Sequence, residues 1–425
     1  MAINEEWFTL ESVRSGFLHL LFFSIPFSIA GDDFAIIGLY LVTIGLGFKK
    51  RIHWKKTPII AGLVLYLVGA LISTLLSDNP LMGFPYFRNF WRLGLPFIVL
   101  FALKDQPVER YIRIMGFVAI AIGLYAIIQF YTGLDILRSE DLQSRYLKYH
   151  GAWPSVGAFT HRLTFGGVFL LLFAIFGALA IPKSLAPKLR LFYALSGLIT
   201  LLAAILSFGR SIWLGVITII VVFLLALVPQ KAKKISFAVT LIVIASFWFS
   251  SDYLRKTEFA KSALGSRMLS ITSLKANKNR LMMWEAGVEI VKDHPILGLG
   301  PNMFHLMIPY YNKISDKNKQ KSQHPPSLGV HNIYLQNWID FGLTGLLGFL
   351  LIFLLLISAI KHKINRYNIR QSLDHALLLG IMAGICGFLV AGFFENNFRD
   401  GEVQVTVLTI VGIALALLNK KAEKL

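Results

Sequence analysis

The sequence is poor in the features that mark most soluble enzymes and secreted proteins. Its one cysteine, Cys386, lies in an apolar stretch, so a disulfide within the chain is excluded and a small core residue is expected. Only 15% of the residues are charged, and 23 acidic residues face 42 lysines and arginines. The chain has no G-x-x-x-x-G-K phosphate loop and no His/Cys set with metal-ligand spacing. We therefore expect no cofactor and no metal site.

Apolar residues are abundant in the chain. They make up 56% of the chain, which contains 34 phenylalanines and has a mean hydropathy of +0.64. A helix needs roughly 20 apolar residues to cross the hydrocarbon core of a bilayer. Apolar stretches close to this length recur throughout the chain. This pattern predicts an all-α polytopic membrane protein rather than a barrel. Twelve spans are predicted, near residues 15–30, 34–48, 58–76, 86–103, 112–131, 163–181, 190–207, 209–228, 235–251, 331–360, 375–396 and 402–419.

The formal charge of +19 would suggest nucleic acid if the cations shared one surface, but they alternate with the spans. The short connections on one side are basic: 49–56, 104–113, 183–190, 231–234, 361–370 and 420–424. On the other side, 31–33 has no cation and 208–210 has only Arg210. The positive-inside rule places both termini in the cytoplasm. The sequence thus predicts a multi-pass protein of the inner membrane that contacts membrane lipids and no nucleic acid.

Two connections are long, 132–162 and 252–330, and both fall on the outer side. We divide the chain into residues 1–251 with spans one to nine, the outer loop 252–330, and residues 331–425 with spans ten to twelve. These form one integrated membrane domain. Since the long loops share a side, chemistry is expected there.

The loop 252–330 has a helical signal of its own. Trp284, Val288 and Val291 are expected on one face of an amphipathic helix. His294-Pro295 should end this helix, and Gly298 and Gly300 should permit a tight turn. Residues 312–326 are polar and are interpreted as mobile.

Two arginines of the outer side are candidates for phosphate binding. Arg210 lies in a very short turn at the bilayer edge, where a guanidinium is costly without a partner. Its planar fork suits a phosphate, although snorkelling to lipid headgroups explains its position equally well. Arg280 begins the predicted amphipathic helix and, taken alone, is one of many cations of the loop.

His331 stands where the long loop re-enters the membrane. An imidazole can take a proton from a sugar hydroxyl at neutral pH, but a histidine that caps a membrane helix is the plain alternative. Glu395 lies at another outer boundary. It would orient the histidine, pair with an arginine of the site, or form a local pair with Arg399.

Other polar residues of the outer side give a less specific signal of a functional site. Arg88 and Arg92 are four apart and are expected to share a helix face. Adjacent carboxylates such as Asp32 and Asp33 point different ways, so a polar turn is expected there rather than a metal site. The other candidates on the outer side are Arg145, His161 and Arg162. Binding of a lipid diphosphate or of anionic lipid headgroups would each explain this excess of basic residues.

Three motifs together resemble the O-antigen ligase and polymerase superfamily of membrane glycosyltransferases, which is GT-C-like in fold. They are Ser207-Phe208-Gly209-Arg210-Ser211, the stretch from Arg280-Leu281-Met282-Met283-Trp284 to Gly300-Pro301, and His331-Asn332 through Gly345-Leu346. The resemblance covers the C-terminal half in motif and the whole chain in topology. It implies about twelve spans with a large periplasmic loop between the ninth and tenth.

The resemblance also implies a reaction and roles for residues. The reaction is a metal-independent, inverting transfer from an undecaprenyl-diphosphate-linked glycan, to lipid A–core in the ligases or to a second lipid-linked repeat unit in the polymerases. Arg210 and Arg280 match the two essential arginines that would hold the diphosphate, and His331 matches the essential histidine, the general base. Glu395 matches an acidic position less closely, and Arg88 and Arg92 match only loosely. We favour the ligase, with the periplasm as the side of the active site.

Two other classes of function remain as alternatives. A twelve-span secondary transporter usually has repeated halves and binding groups near the bilayer midplane, whereas here the halves differ and charges gather at the outer edge. Flux without glycosyl transfer would favour the transporter. A non-catalytic assembly partner would tolerate His331→Gln and would be sensitive to changes in residues 312–326.

Overall fold

The computed structural model of the chain describes residues 9–48, 57–138, 140–317 and 329–420. The basic connections predicted at 49–56 and 421–424 lie outside the described residues. So does the part of the 312–326 segment from residue 318 onward.

Helices account for nearly all regular structure in the described ranges. The first part of the chain forms α1 (Leu10–Ser24), α2 (Ile29–Phe48), α3 (Ile60–Leu75), α4 (Pro80–Gly83), α5 (Leu95–Ala102), α6 (Val108–Thr132), α7 (Arg162–Leu179), α8 (Pro187–Leu206), α9 (Arg210–Leu227) and α10 (Gln230–Leu254). The rest forms α11 (Ala263–Leu269), α12 (Leu274–Asp293), α13 (Phe304–Lys317), α14 (Ile333–Lys363), α15 (Arg366–Gln371), α16 (Leu373–Ala391) and α17 (Gly401–Asn419). A two-residue hairpin, β1 (Leu134–Asp135) with β2 (Glu140–Asp141), lies after α6.

The prediction of an all-α polytopic membrane protein is confirmed. Eight helices of the described ranges are long and apolar enough to cross a membrane: α2, α6, α7, α8, α9, α14, α16 and α17. The helix α3 is apolar but shorter. The count of twelve spans is therefore not confirmed, although a helix corresponds to each predicted span except the fourth.

The fourth predicted span, 86–103, is not one α-helix. Residues Phe84–Gly94 form a 3₁₀ helix that continues into the short α5. In a 3₁₀ helix residues three apart are aligned, so residues four apart point in different directions. The prediction that Arg88 and Arg92 share a face is wrong for this reason: Arg88 is exposed, whereas Arg92 is turned inward to Asp33.

The helix α7 is the most enclosed of the eight candidate spans, with 89% of its apolar window buried. It contacts α8, α9, α16 and α17. Because α7 is surrounded on most sides, nearly all of its residues are apolar, as expected for a helix with little polar or lipid-facing surface. This enclosed helix has His161 as its N-cap and Arg162 as its first residue, so both lie at one end of the bundle.

The helices α3 and α14 pack backbone against backbone through glycines. A Cβ atom at Gly69 would lie 2.6 Å from the Gly345 nitrogen, and one at Gly348 would overlap the backbone of Tyr66. Close approach at small residues is a common way for membrane helices to associate, because lipid provides no hydrophobic driving force between them. This contact fixes α14, and with it the loop that precedes α14.

The described part of the loop 252–330 folds onto the end of the bundle and includes α11, α12 and α13. The helix α12 ends at Asp293, next to His294-Pro295, and Gly298 and Gly300 have φ of +70° and +94°, so both predictions for this stretch are confirmed. Val288, however, is exposed, while Met283 and Ile290 are buried. The predicted face is wrong at Val288 only, since Val291 is buried and Trp284 packs beside it; the buried surface is wider than one face because α12 packs against both α13 and α14. Residues 312–317, interpreted as mobile, belong to α13.

The helix α14 is interrupted at Gly342, which has φ +66° and ψ −171°. A Cβ atom there would overlap the Ile296 carbonyl oxygen. The Leu299 N–H donates to the Ile339 oxygen at 2.7 Å, and the Leu343 N–H donates to the Ile296 oxygen at 3.1 Å. These contacts at the break therefore attach the outer loop to α14, the membrane helix that directly follows the turn containing His331.

We expect Gly342→Ala to lower the apparent melting temperature of the purified protein. Alanine would pay about 1–3 kcal/mol for a backbone conformation that is nearly restricted to glycine, in addition to the clash with Ile296. Gly16→Ala in α1 is the matched control, because no atom lies within 4 Å of the new methyl group. This control should melt at or slightly above the wild-type temperature. Equal melting of the two variants would contradict the proposed attachment.

Candidate functional site

His331 occupies the turn before α14 but does not cap the helix. Asn332 is the cap, and its Oδ1 accepts hydrogen bonds from the N–H groups of Tyr334 and Leu335 at 3.0 and 2.9 Å. The backbone of His331 has φ +47°, a strained value for a residue with a side chain. Because Asn332 caps the helix, the imidazole is directed elsewhere.

The imidazole contacts a carboxylate that also holds an arginine. His331 Nδ1 lies 2.6 Å from Glu395 Oε1, and Arg280 Nη2 lies 3.2 Å from Glu395 Oε2. Glu395 is 6% exposed. Three residues predicted separately, from the loop helix α12, the turn before α14 and the connection after α16, thus form one chain of contacts.

Glu395 is held as the anion. Burial alone would raise the pKa of this carboxyl, but the hydrogen bond and charge of His331, followed by the charge of Arg280, outweigh it and hold the pKa below its usual range. An ionised carboxylate only accepts hydrogen bonds, so the proton between the two residues belongs to His331 Nδ1. In the neutral imidazole, Nε2 then carries the lone pair and can act as a base.

Arg210 is the first residue of α9, after a strained turn in which Phe208 has φ +55°. Arg162 Nη1 donates to the carbonyl oxygens of Ser207 and Phe208 at 3.2 and 2.9 Å. Arg267 Nε donates to the same Phe208 oxygen at 3.1 Å. Arg210 Nη1 donates to the Ser270 oxygen at 2.8 Å, which connects the turn to the outer loop.

These contacts bring Arg162, Arg210 and Arg267 to one turn, and Arg280 lies within electrostatic range of them. Arg210 lies within electrostatic range of Arg162, Arg267 and Arg280. Burial, followed by the charge of Arg162, lowers the pKa of Arg267 to about 10, which still leaves that guanidinium charged at neutral pH. Among the described residues, Glu395 is paired to Arg280, so these four arginines and one carboxylate together carry an excess of positive charge. Like charges held this close repel one another until an anion joins them, so the arrangement suits a multiply charged anion.

Helix N-termini add to this positive potential. The helices α7, α9, α14 and α17 all begin at this end of the bundle: Asp400, just before α17, accepts from Thr164 Oγ1 of α7 at 2.8 Å, and the Ile333 N–H of α14 donates to the Gly392 oxygen at 2.8 Å. A helix start carries about half a positive charge. Burial raises the pKa of Asp400 to about 7, so this carboxyl does not cancel the excess fully at neutral pH.

Several other candidates lie in structural contacts of their own. Arg92 donates from Nε and Nη2 to the two Asp33 oxygens at 3.0 and 2.7 Å, and Ser24 donates to Asp32 at 2.6 Å. The two acids do point different ways, but both lie within α2, Asp32 in its first turn, and not in a separate turn. Arg145 pairs with buried Asp135 at 2.5 Å. The structure brings none of these, nor exposed Arg88, into contact with His331 or Glu395.

Sequence reasoning missed Arg267 and gave Arg162 and His161 no specific role. Arg267 is one cation among many in a long loop, and only its burial beside Phe208 and over the Tyr149 ring distinguishes it. His161 caps α7 by accepting from the Leu163 N–H at 3.4 Å. Arg162 could have been noticed because it starts a strongly apolar span, as Arg210 does. Cys386 lies in α16 as a free thiol.

Two comparisons with known proteins bear on this site. A protein-family model described as O-antigen ligase matches residues 195–350, which include Arg210, Arg280 and His331. A Haemophilus influenzae protein described as uncharacterized is 24% identical over 392 residues, covering 90% of this chain and 92% of that protein. The first match confirms the resemblance drawn from the three motifs.

Proposed function

We propose that this chain is an O-antigen ligase, a proposal supported by the match of residues 195–350 to a family model described as O-antigen ligase. A role of the ligase or polymerase type in polysaccharide assembly follows from the family. The proposal adds the donor, a glycan on undecaprenyl diphosphate, and the acceptor, lipid A–core. The reaction is a metal-independent inverting transfer at the periplasmic face of the bacterial inner membrane, with both termini in the cytoplasm.

The chain of contacts from Arg280 through Glu395 to His331 carries the proposal. His331 Nε2 takes the proton of an acceptor hydroxyl while the oxygen attacks the anomeric carbon. The bond from that carbon to the diphosphate oxygen breaks, and the electron pair leaves with the diphosphate. Glu395 stabilises the imidazolium that forms, in the manner of the carboxylate in a catalytic triad.

The arginine cluster supports the second half of this reaction. A diphosphate is a good leaving group, so the protein must align the reactants and stabilise the departing anion. Arg210 and Arg280 are the proposed diphosphate ligands, and the geometry adds Arg267 and Arg162 beside them. Their charge is in place before the bond breaks, which is the arrangement that lowers a barrier most.

The test is reconstitution of the full chain in proteoliposomes with undecaprenyl-diphosphate glycan and, in separate reactions, lipid A–core or a second lipid-linked repeat unit. We expect the glycan on lipid A–core. Elongation of the repeat unit alone would show the polymerase instead. Transfer to neither acceptor, with flux of the lipid-linked glycan, would overturn the glycosyltransferase.

Arg267 provides a prediction that the sequence alone does not make. We expect Arg267→Ala to raise the KM for the lipid-diphosphate donor by about 10- to 100-fold, because a charge-assisted hydrogen bond contributes roughly 1.5–3 kcal/mol. Lys261→Ala removes a charge from the same loop but from an exposed pair with Glu258, and it should leave this KM unchanged. Steady-state kinetics at varied donor concentration measure both. A fall in kcat alone would assign Arg267 to the support of Phe208.

A further inference from the structure

A cavity of about 140 Å³ lies beside the site and is separate from the arginine cluster. It is lined by α3, the 3₁₀ helix Phe84–Gly94, the turn before α13, and residues at and just before the start of α17. Its lining includes Tyr86, Asn89, Phe90, Asn302, Arg399 and Gln404. A cavity of roughly 150 Å³ holds benzene, which has six heavy atoms, so this one can take the atoms of a single six-membered ring whose substituents extend through its open side.

Gln404 contributes a largely buried carboxamide to the cavity wall. This residue is 7% exposed, and its side chain faces the cavity. Within the described ranges no hydrogen bond is formed by the carboxamide of Gln404 or by that of Asn89. The amide atoms of Gln404 are accessible from the cavity, where the hydroxyl groups of a ligand can hydrogen-bond to them.

The remaining lining indicates which partner. The Arg399 guanidinium lies 5.1 Å from the Tyr86 ring centre and 5.2 Å from the Phe304 ring centre, and its Nη2 is 3.9 Å from Asp340 Oδ2. Its charge is therefore shared with an acid and with aromatic faces, which disfavours a phosphate. Carboxamides donate and accept at once, as sugar hydroxyls require, and aromatic side chains pack on the C–H faces of a sugar ring.

The cavity is also connected to the candidate catalytic segment. The Val330 N–H donates to Gln336 Oε1 at 3.0 Å, and Gln336 Nε2 donates to Asp340 Oδ1 at 2.9 Å. Asp340 faces Arg399 at the cavity wall, and Val330 precedes His331 in the chain. This buried polar network sets the position of the cavity relative to the imidazole.

We propose that this cavity binds one pyranose ring of a glycan substrate through Gln404 and Asn89. The role as a substrate subsite rests on the proposed glycosyl transfer, whereas the binding of a sugar ring does not. The occupant is a neutral or weakly acidic sugar, recognised by its hydroxyls and by an apolar ring face. A lipid headgroup phosphate is the competing ligand.

The test is saturation-transfer difference NMR on the full chain in detergent. The probes are the methyl glycosides of glucose, galactose, N-acetylglucosamine and glucuronic acid, with inorganic phosphate as competitor. We expect ring-proton signals for at least one glycoside, at least a tenfold weaker signal in Gln404→Met and Asn89→Leu, and no effect of phosphate. Gln143→Met, which changes an exposed carboxamide of the outer loop, is the matched control and should keep the wild-type signal.

Each outcome decides the proposal. Wild-type signals in Gln404→Met, no signal from any glycoside, or displacement by phosphate would overturn it. Melting temperatures of the variants separate a lost ligand from a lost fold. In protein that transfers glycan, Gln404→Met should also raise the KM for one substrate about tenfold at unchanged kcat, the effect of one or two lost hydrogen bonds. Glycoside binding without transfer would refute the proposed function alone, and transfer without glycoside binding would refute the subsite alone.

Discussion

His331→Gln is expected to lower kcat for glycan transfer by about 100- to 10,000-fold, the usual contribution of a positioned general base. Glutamine is close in size to histidine and can still hydrogen-bond to Glu395, but it cannot accept a proton at neutral pH. The arginine cluster remains, so binding of the lipid-diphosphate donor should persist. Single-turnover transfer in proteoliposomes, with donor binding measured in parallel, separates the two effects.

His305→Gln is the matched control for this prediction. His305 lies on α13, on the same side of the bundle, and its side chain is exposed. The control should transfer glycan at the wild-type rate, and both variants should melt near the wild-type temperature. Transfer at the wild-type rate by folded His331→Gln would refute the role of the general base and would favour a non-catalytic assembly partner.

Arg280→Ala is expected to lower kcat/KM by roughly 100-fold or more, since removing one preformed donor to a developing anion costs about that much. The structure offers two routes to such a loss. Arg280 can bind the diphosphate directly, or it can act by holding Glu395 in place at 3.2 Å. A loss of donor affinity together with kcat would indicate the direct contact.

A double-mutant cycle distinguishes the two routes. If Arg280 acts only through Glu395, Arg280→Ala should have little further effect in a Glu395→Gln background. If it binds the diphosphate, the loss should remain in that background. We expect it to remain, because Arg280 also belongs to the cluster of Arg162, Arg210 and Arg267. Full transfer by folded Arg280→Ala would remove this residue from the site.

Glu395 illustrates how far sequence reasoning reached. Three partners were open to this acid: the histidine, an arginine of the site, or Arg399. The structure shows the first two together, with His331 on one oxygen and Arg280 on the other, while Arg399 turns to Asp340. The spacing along the chain favours Arg399, four residues away. Contacts across 64 and 115 residues depend on how α12, α14 and α16 pack, and no local pattern contains that information.

The arginines show the same limit of reasoning from local sequence. Arg88 and Arg92 looked equivalent by spacing, but the 3₁₀ geometry of their segment separates them and Asp33 takes Arg92. Arg267 looked like any loop cation, but the fold of the outer loop places it against the Phe208 carbonyl. Local periodicity assumes one kind of helix and one packed face. Both assumptions fail where a segment is wound more tightly or packed on two sides.

The amino-acid sequence by itself determined the class of architecture and the reactive residue types. Hydropathy acts over about 20 consecutive residues, so it is written into each segment independently of the others. The motifs around Arg210, Arg280 and His331 are likewise local, and they were enough to indicate the superfamily. Only the tertiary structure decided which side chains are in contact and which arginines lie close enough to interact electrostatically. It also decided that a polar cavity lies beside the candidate site. Those features arise from contacts between distant segments, whose free energies depend on the packing of the whole bundle.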